Sequence, residues 1–494
     1  MADLHLSLDR DAGGITGQLA EELRTAIREG RLSPAARLPP SRELARDLGV
    51  SRGVVVEAYE RLVAEGFLIS RVGAGTRVAP AAAREPGPPP EPGRPRPYYG
   101  FRATTPDLAA FPRERWLAAL KHALATMPGD AFDYADPGGV RELREELAAY
   151  LRRVRAADAD PENVVIVGGV AHGLSLTIPA LAVREAGGAA GGRARHDLDW
   201  FVRRSRGLDP PPAGRGVPLA VEDPASVRQV PLLRAAGARL VRVPVDGEGI
   251  DVGALAATGA RAVLLTPAHQ YPTGVVLSPG RRAELMAWAA RTGGVVLEDD
   301  YDAELRFDRD PVGCLQGLAP GRVVLAGSVS KPLAPGLRLG WLVAPPDLAE
   351  TVRLARGEGD LGSPVVEQYA LAHLIRTGAY DRHLRRMRRE YRRRRDALVA
   401  ALADTLPEVE VHGVSAGLHL YLRLPGDWDE RAFVAAAEAA GLAAEPVAPM
   451  RATPGPPALV LGFARLPAHQ APTQVSHLAA TLTRRGLTRG ESRS

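Results

Sequence analysis

The segment LAGSVSKPLAPGLRLGW, residues 325–341, carries the densest chemical signal in the chain. It begins as a strand-like run and continues into a Ser-x-Ser-Lys loop, in which Pro332, Pro335 and Gly336 shape the backbone. Serine hydroxyls and a guanidinium suit a phosphate group, while a lysine amine can form a Schiff base with an aldehyde. The side chains that offer this chemistry are Ser328, Ser330, Lys331 and Arg338.

Lysine is rare in this chain, which makes the lysine of this loop informative. Among the 63 lysines and arginines, only Lys121 and Lys331 are lysines. Arginine stays protonated and cannot act as an amine nucleophile. Lys121 falls in a predicted amphipathic helix and we assign it no role. Lys331 lies in the one loop whose predicted chemistry arginine cannot perform.

Three other segments place polar groups at the ends of predicted strands. In GGVVLEDDYDAEL, residues 293–305, a strand of the buried type runs directly into Asp299 and Tyr301. Acids at the carboxyl end of a strand lie where open α/β sheets bind ligands, and a carboxylate there can hold a protonated pyridine nitrogen. TPAHQYPTG, residues 266–274, is a second strand-end turn. VVIVGGVAHG, residues 164–173, is a strand, a glycine turn and a helix whose free amides can bind phosphate.

Each of these patterns also has an ordinary structural explanation. A single lysine is usually solvated, two glycines usually form only a turn, and three successive acids usually form a wet turn or occasionally a metal site. The four segments in this order are more specific than any one of them. We predict no metal site.

The N-terminal 79 residues predict a different kind of module. In LPPSRELARDLGVSRGVVVEAYERLVAEGFL, residues 38–68, two helices capped by Ser41 and Ser51 are joined by a turn at Gly49. This spacing is typical of a helix-turn-helix, and FLISRVGAGTRVA, residues 67–79, predicts two strands around a glycine tip. The alternative is a helical hairpin without a role in nucleic-acid binding.

A proline-rich segment, residues 80–97, separates this module from the rest of the chain. Its eight prolines exclude helix and sheet interiors and predict an extended linker. Residues 98–494 exceed what one hydrophobic core usually supports, so we expect an α/β body with large and small subdomains. Within it, residues 184–218 contain GGAAGG and DPPPAGRG and predict an insertion loop.

Composition excludes several classes of protein. The 494 residues are 45% hydrophobic and 24% charged with a net charge of +5, which is ordinary for a globular protein. The single cysteine, Cys314, excludes an internal disulfide framework. The N-terminus has no signal-peptide pattern, and the longest uncharged stretch, residues 164–183, is interrupted by glycines and a proline. We expect a cytoplasmic protein with no membrane partner.

Residues 19–78 resemble the DNA-binding domain of GntR-type bacterial regulators, with the patterns LPxSRELA, GVSR, AYxxLxxEG and GxGT in order. The resemblance implies double-stranded DNA as a partner. The residues that it places against DNA are Arg42, Ser51, Arg52, Gly73 and Gly75. Arginines near helix N-termini can contact phosphates or a guanine edge. Gly53 and Val54 stand where such domains often carry polar residues, so fewer side chains reach the half-site.

The four segments of the body together resemble the fold-type I aminotransferases, and with the N-terminal module the chain resembles the MocR family of regulators. The resemblance implies an α+β winged helix-turn-helix followed by an α/β body that binds pyridoxal 5'-phosphate. On it, Lys331 forms the Schiff base with the cofactor and Asp299 pairs with the pyridine nitrogen. Tyr301 approaches the phenolic oxygen of the ring.

The same resemblance implies roles for further residues. Those that hold the cofactor phosphate are Ser328, Ser330, Arg338 and, through their amides, Val170 and Ala171. His269 and Gln270 lie near the cofactor ring, and Tyr134 reaches the phosphate bound by the partner subunit. Arg451 binds the carboxylate of an effector. Arg228 is either a second anion contact or a solvated helix arginine.

Two positions depart from the family pattern. Ser226, in VEDPAS, stands where an aromatic residue usually stacks on the pyridine ring, and Gly168 stands where Ser or Thr is common. We expect both changes to weaken cofactor binding or to shift the choice of effector, while the covalent link to Lys331 is kept. A degenerate site, or one that senses the cofactor reversibly, is the alternative.

These expectations describe a transcription regulator that senses an amine, an amino acid or a vitamin B6 compound such as pyridoxal phosphate itself. The predicted mechanism is transaldimination, in which the effector amine displaces Lys331 from the aldehyde carbon. The family resemblance implies a head-to-tail homodimer. Two alternatives stay open: a working aminotransferase that carries a DNA-binding module, and a cofactor-free regulator that uses the fold as a dimerisation scaffold.

The segment DRHLRRMRREYRRRRDALVAAL, residues 381–402, contains nine arginines. Its apolar spacing favours a solvated amphipathic helix with Leu384, Met387, Tyr391 and Leu398 packed inward. A supplementary surface for DNA or another anion is the alternative.

Overall fold

The chain divides into two compact units, Met1–Tyr98 and Tyr99–Ser494. The computed structural model describes residues 7–10, 12–71, 75–80, 102–187, 216–307 and 312–484. The division falls at the end of the proline-rich segment. Gly73 of the predicted wing tip and all but Pro80 of the predicted linker lie outside the described residues.

The first unit is a winged helix-turn-helix, as the sequence predicts. Its elements are α1 (Ile15–Arg28), α2 (Ser41–Leu48), α3 (Arg52–Ala64) and the antiparallel strands β1 (Leu68–Arg71) and β2 (Gly75–Val78). Gly49 adopts the left-handed conformation that ends α2, with φ 62°. Ser51 Oγ accepts a hydrogen bond from the Val54 amide and so caps α3, as predicted. The predicted cap of α2 is wrong, because Ser41 is the first residue of that helix, the capping position is Pro40, and no side chain caps the helix. Leu19 and Leu23 of α1 are buried against Leu62 of α3 in a small apolar core.

An eight-stranded sheet forms the centre of the second unit. Its strands are β3 (Val164–Val167), β4 (Val217–Asp223), β5 (Ala238–Asp246), β6 (Gly249–Ile250), β7 (Ala262–Leu265), β8 (Val295–Asp299), β9 (Val323–Ser328) and β10 (Gly340–Val343). The order is β3-β10-β9-β8-β7-β4-β5-β6. Strands β9, β8, β7, β4 and β5 are parallel, while β10 is antiparallel to both its neighbours.

Strands β3, β7, β8 and β9 are buried on both faces, which explains why they are rich in valine and leucine rather than alternating in polarity. Val164 and Ile166 of β3 face one apolar cluster and Val165 and Val167 face another. The helices around this sheet are α4 (Arg113–Thr126), α5 (Arg141–Arg155), α6 (Val170–Gly187), α7 (Gln229–Ala235), α8 (Val252–Ala257), α9 (Pro279–Thr292), α10 (Pro346–Gly359) and α11 (Val365–Arg376). The sheet is therefore the middle layer of an α/β body.

A second, smaller sheet lies in the C-terminal part of this unit. The long helix α12 (Ala379–Thr405) is followed by the antiparallel strands β11 (Glu410–His412), β12 (His419–Arg423), β13 (Ala443–Pro446) and β14 (Ala458–Gly462), and by α13 (Glu430–Ala439) and α14 (Ala471–Arg484). The strand order is β11-β12-β14-β13. The apolar residues predicted to face inward from α12 are all buried: Leu384, Met387, Tyr391 and Leu398. This confirms that the helix is amphipathic.

The predicted insertion loop, residues 184–218, is regular at both ends. Helix α6 continues through Gly187, and β4 begins at Val217, which is buried and pairs with Ala238 of β5. The sequence did not predict the end of this helix or the start of this strand, because the segment is rich in glycine and proline and composition alone does not show where strand pairing begins. Residues 188–215 lie outside the described part of the chain. Among the described helices, none is long and apolar enough to cross a bilayer.

Candidate functional site

The helix-turn-helix presents a polar face at the start of its second helix. Arg42, Ser51 and Arg52 are exposed, and Arg52 Nε lies 3.5 Å from Ser41 Oγ at the start of α2. Gly75 begins β2 with φ 82°, a conformation that favours glycine. Exposed guanidiniums beside helix N-termini can contact phosphates and base edges.

A cavity of about 350 Å³ in the second unit opens at the carboxyl ends of the parallel strands. This is the position at which α/β sheets bind ligands. The sequence-predicted residues that line it are Val170, Ala171, Arg228, Asp299, Tyr301, Ser328, Ser330, Lys331 and Arg338. The fold thus brings the separate strand-end segments to one place.

Asp299, the last residue of β8, has one carboxylate oxygen satisfied and one free for a ligand. Its Oδ2 accepts a hydrogen bond from Gln229 Nε2 at 2.9 Å, whereas Oδ1 is buried and has no partner among the residues that the structure describes. Burial, with the charges of Asp300 and Asp302, raises the pKa of this carboxyl to about 7. Because an unpaired buried oxygen is costly, Oδ1 is suited to a donor supplied from the cavity.

Lys331 follows β9 and extends its amine into the same cavity. Its Nζ donates a hydrogen bond to the Thr104 carbonyl at 2.9 Å. Burial lowers the pKa of Lys331 to about 8, although the carboxylates of Asp302 and Asp299 oppose this shift. A larger share of this amine than of an exposed lysine is therefore neutral near pH 7, and the neutral amine is the nucleophile.

The opposite end of the cavity is built for an anion. Ser328 ends β9, and its Oγ accepts a hydrogen bond from the Ser330 amide at 3.3 Å. Arg338 donates to the carbonyl oxygen of Gly168. Gly169 has φ 92°, and a Cβ there would lie 3.3 Å from the Arg338 guanidinium, so the turn needs glycine. The first amides of α6 follow this turn, and together these groups can bind a phosphate.

Tyr301 is held by a polar network behind the cavity wall. Its Oη lies 3.2 Å from His269 Nδ1, and the same nitrogen lies 2.8 Å from Asp302 Oδ2. Because Asp302 accepts the Nδ1 proton, the tyrosine hydroxyl can donate to the His269 carbonyl oxygen, 3.3 Å away. Burial raises the pKa of Tyr301 well above its usual value, which keeps the hydroxyl protonated.

His269 and Gln270 support the cavity from behind, since both are buried and neither lines it. Gln270 Nε2 donates to the Pro224 carbonyl at 3.0 Å and so ties two loops together. Arg228 lines the cavity and pairs with Glu445 across 3.2 Å. Its place in the cavity lining makes it available to an anion, while its side chain is 42% exposed and already has a carboxylate partner, so both interpretations of Arg228 stay open.

Two predicted residues lie elsewhere. Arg451 lines a separate cavity of about 540 Å³, where its Nη2 donates to Tyr421 Oη at 3.0 Å. The two cavities adjoin at one loop, since Asp223 and Pro224 line this cavity while Glu222 and Ala225, next to them in the chain, line the cavity of Lys331. Tyr134 is 81% exposed and reaches neither cavity in its own chain.

Both departures from the family pattern have local structural correlates. Ser226 lines the cavity, so no aromatic ring is contributed from this position. The Gly168 amide donates to His172 Nδ1 at 3.0 Å, and a Cβ at residue 168 would lie 3.1 Å from the same nitrogen. His172 therefore takes the space that a Ser or Thr side chain would need.

Several residues of the cavity were missed by sequence reasoning: Arg102, Thr104, Glu222, Gln229, Thr266 and Tyr271. Glu222 lies near the end of β4 and accepts hydrogen bonds from the amide and the hydroxyl of Thr266, at 3.0 and 2.9 Å. Burial raises the pKa of Glu222 to about 7. The rule that identified Asp299, an acid at a strand end, applies equally to Glu222. Gln229 had no such signal, because it lies on a helix.

Comparisons with known proteins agree with the division into two units. The family described as bacterial regulatory proteins, gntR family, matches residues 15–78, and aminotransferase class I and II matches residues 214–471. The chain is 33% identical to the HTH-type pyridoxine biosynthesis transcriptional regulator PdxR of Corynebacterium glutamicum, over 85% of this chain and 86% of that protein. It is 32% identical to the probable rhizopine catabolism regulatory protein MocR of Rhizobium meliloti, over 90% and 88%.

Solved structures similar to this chain are aminotransferases. LysN, the alpha-aminoadipate aminotransferase of Thermus thermophilus complexed with N-(5'-phosphopyridoxyl)-L-leucine, matches 78% of this chain and 92% of its own, with a TM-score of 0.64 and 26% identity. The kynurenine aminotransferase of Pyrococcus horikoshii matches 78% and 90%, with a TM-score of 0.65. At 24% identity the second likeness concerns the fold alone.

Proposed function

Since the chain belongs to the MocR family of transcriptional regulators, in which a GntR-type DNA-binding domain precedes an aminotransferase-like domain, we propose that it binds pyridoxal phosphate at Lys331 and uses the site to sense an effector. The observation that carries the proposal is that one cavity is lined both by the half-buried Lys331 and by Asp299, whose Oδ1 has no partner among the described residues. We further propose that the protein acts in the cytoplasm.

The residues fit this cofactor. Asp299 Oδ1 is an acceptor for a protonated ring nitrogen, and Tyr301 offers a hydroxyl. Ser328, Ser330 and Arg338, with the α6 amides, surround the place for a phosphate dianion. When bound, the cofactor supplies an aldehyde that condenses with primary amines.

A reduction experiment tests the covalent site. The full-length protein is incubated with pyridoxal phosphate and sodium borohydride, and the adduct is located by peptide mass spectrometry. We expect one modified residue, Lys331, and no adduct in Lys331→Ala. Modification that is spread over the chain, or that persists in Lys331→Ala, would refute the assignment. Loss in Lys331→Ala with unchanged circular dichroism separates lost chemistry from lost folding.

The effector is proposed to be an amine, an amino acid or the vitamin itself. Arg228 and Arg102 line the cavity of Lys331 and offer guanidiniums to an acidic group, and Arg451 is proposed to serve the adjoining cavity. Exchange of the amine at Lys331 would then alter the body and, through the linker, the DNA-binding unit. The relative PdxR carries pyridoxine biosynthesis in its name, which supports testing vitamin B6 compounds first.

Turnover is the second candidate function, because Lys331, Asp299 and Tyr301 share one cavity and supply the groups that an aminotransferase needs. Sustained production of a keto acid from an amino donor would establish it. Release of only one equivalent of keto acid per chain would instead favour sensing. A cofactor-free regulator is less well supported, since it would leave Asp299 Oδ1 buried without a donor.

We also propose a head-to-tail homodimer. Large apolar side chains are exposed on α4 and just after it: Leu117, Leu124, Phe132 and Tyr134. A second copy would cover this face and bring Tyr134 toward the partner subunit's cofactor phosphate. Light scattering tests the proposal: the wild type should be dimeric, and Leu117→Glu/Leu124→Glu should be largely monomeric. A wild-type monomer at micromolar concentration would exclude it.

A further inference from the structure

A third cavity, of about 390 Å³, lies between the N-terminal end of α4, with the residues just before it, and the first two turns of α12. Its charged lining consists of Arg113, Glu114, Arg115, Arg382 and Arg386. Four guanidiniums thus face one carboxylate. The residues that line this basic cavity do not overlap with those that line the cavity of Lys331.

The arginines of this cavity, like Arg385 and Arg389 nearby, differ from those at the far end of the same helix. At the far end of the arginine run, Arg393, Arg394 and Arg395 each form an ion pair. Within the described part of the chain, Arg382 and Arg386 have no carboxylate within ion-pair distance. The same holds for Arg113 and Arg115 on α4. Excess positive charge without internal compensation favours an anionic ligand.

The floor of the basic cavity is a fixed histidine. His383 is 6% exposed, and its Nε2 lies 2.8 Å from the Pro332 carbonyl oxygen. A carbonyl only accepts, so Nε2 carries the proton and the Nδ1 of the neutral ring is an acceptor. Arg386 Nη2 lies 3.4 Å from that Nδ1 and donates to the Ala110 carbonyl at 2.9 Å. One guanidinium of the lining is therefore held in place before any ligand arrives.

We propose that the basic cavity binds a compact phosphorylated anion. Guanidiniums bind phosphate oxygens in pairs of hydrogen bonds, and four of them can satisfy two phosphate groups. The volume matches small-molecule sites, which start near about 300 Å³. Its short, two-sided lining, with arginines on both α4 and α12, suits a compact anion better than an extended one.

Pyrophosphate is the probe for this site. Calorimetric titration of the full-length protein, at ionic strength held constant with potassium chloride, should show saturable binding. In Arg382→Gln/Arg386→Gln the affinity should fall at least tenfold. The matched control is Arg385→Gln/Arg389→Gln, which removes the same charge from exposed positions of α12 outside the lining and should change affinity less than twofold. Equal losses in both pairs would mean a diffuse basic surface and would overturn the proposal.

Two further variants keep the test decisive. If Arg382→Gln/Arg386→Gln does not fold, Arg113→Gln/Arg115→Gln removes the other side of the lining and should give the same loss. Arg338→Gln reports on the phosphate end of the cofactor cavity. If Arg338→Gln abolishes pyrophosphate binding and Arg382→Gln/Arg386→Gln does not, the pyrophosphate binds in the cofactor cavity. That result overturns the proposal, whether or not the cofactor binds there. Absence of pyrophosphate binding, with weaker duplex DNA binding by the α12 pair, would assign the surface to DNA and also overturn it.

Discussion

The helix-turn-helix face and the cavity of Lys331 use cations in opposite ways. Arg42 and Arg52 are exposed, so their guanidiniums are hydrated and permanently charged. Lys331 is half-buried, and its desolvation brings the pKa of its amine down to about 8. The first arrangement serves attraction to a polyanion, whereas the second makes a nucleophile available near neutral pH. Arginine, which the chain has at nearly every other basic position, can attract a polyanion but cannot act as the amine nucleophile.

Replacing Lys331 by arginine tests this contrast most severely. Lys331→Arg keeps a cation and loses the nucleophile, because a guanidinium stays protonated. We expect complete loss of the borohydride-trapped adduct, measured by intact mass, while affinity for DNA without effector changes less than threefold. Lys121→Arg, at an exposed position of α4, is the matched control and should keep the full adduct. An adduct that survives in Lys331→Arg would place the chemistry elsewhere.

Replacing Arg52 tests the role of the exposed arginines of the helix-turn-helix face. Arg52→Ala should weaken binding to the protein's own upstream DNA by about 1–3 kcal/mol, or roughly 5- to 150-fold, because one charge-assisted contact is lost. Fluorescence anisotropy over a range of salt concentrations measures both the affinity and its salt dependence.

Arg31→Ala is the control within the same unit, since Arg31 pairs with Glu29 beyond the end of α1. It should leave the affinity within twofold of the wild type. An unchanged affinity in Arg52→Ala would contradict the assignment of α3 as the helix that contacts DNA.

The two regions also differ in how much of them could be predicted. The helix-turn-helix is local in sequence, so its cap at Ser51 and its turn at Gly49 identify it directly, although the predicted cap at Ser41 is wrong. The cavity is assembled from the ends of β4, β7, β8 and β9, which are far apart in the chain. Strand-end patterns found Asp299 and Lys331.

The sequence could not show which helix and loop residues complete the wall of the Lys331 cavity. Gln229, the hydrogen-bond partner of Asp299, lies 70 residues away on α7. Thr104, which accepts from Lys331, lies 227 residues away. Such partners depend on how elements pack, and no local periodicity encodes that. For the same reason, only the structure shows that the two candidate effector arginines, Arg228 and Arg451, line different cavities.

The rate of cofactor capture, measured over a range of pH, tests the pKa of the Lys331 amine. Lys331 is charged below its pKa and neutral above it, so the rate of cofactor capture should rise about tenfold from pH 6 to 7 and level off above about pH 8. Asp299→Asn removes a negative charge that holds this pKa up, so its plateau should begin at lower pH, although binding of the cofactor is weaker. Stopped-flow absorbance at saturating cofactor measures both profiles. A wild-type plateau above pH 10 would show that the amine is not desolvated in solution.

The smallest expected effect separates the two candidate effector arginines. Arg228 lines the cavity of Lys331 and its charge is partly offset by Glu445, whereas Arg451 faces the adjoining cavity and bonds Tyr421. With an acidic amine that alters DNA binding, Arg228→Gln should raise the half-maximal effector concentration about three- to tenfold, and Arg451→Gln by less than threefold, because a partly exposed charged contact contributes only about 1 kcal/mol. Anisotropy titrations with labelled DNA give both values. The reverse order would mean that the effector carboxylate extends past Asp223 into the adjoining cavity, and that the two cavities act as one site.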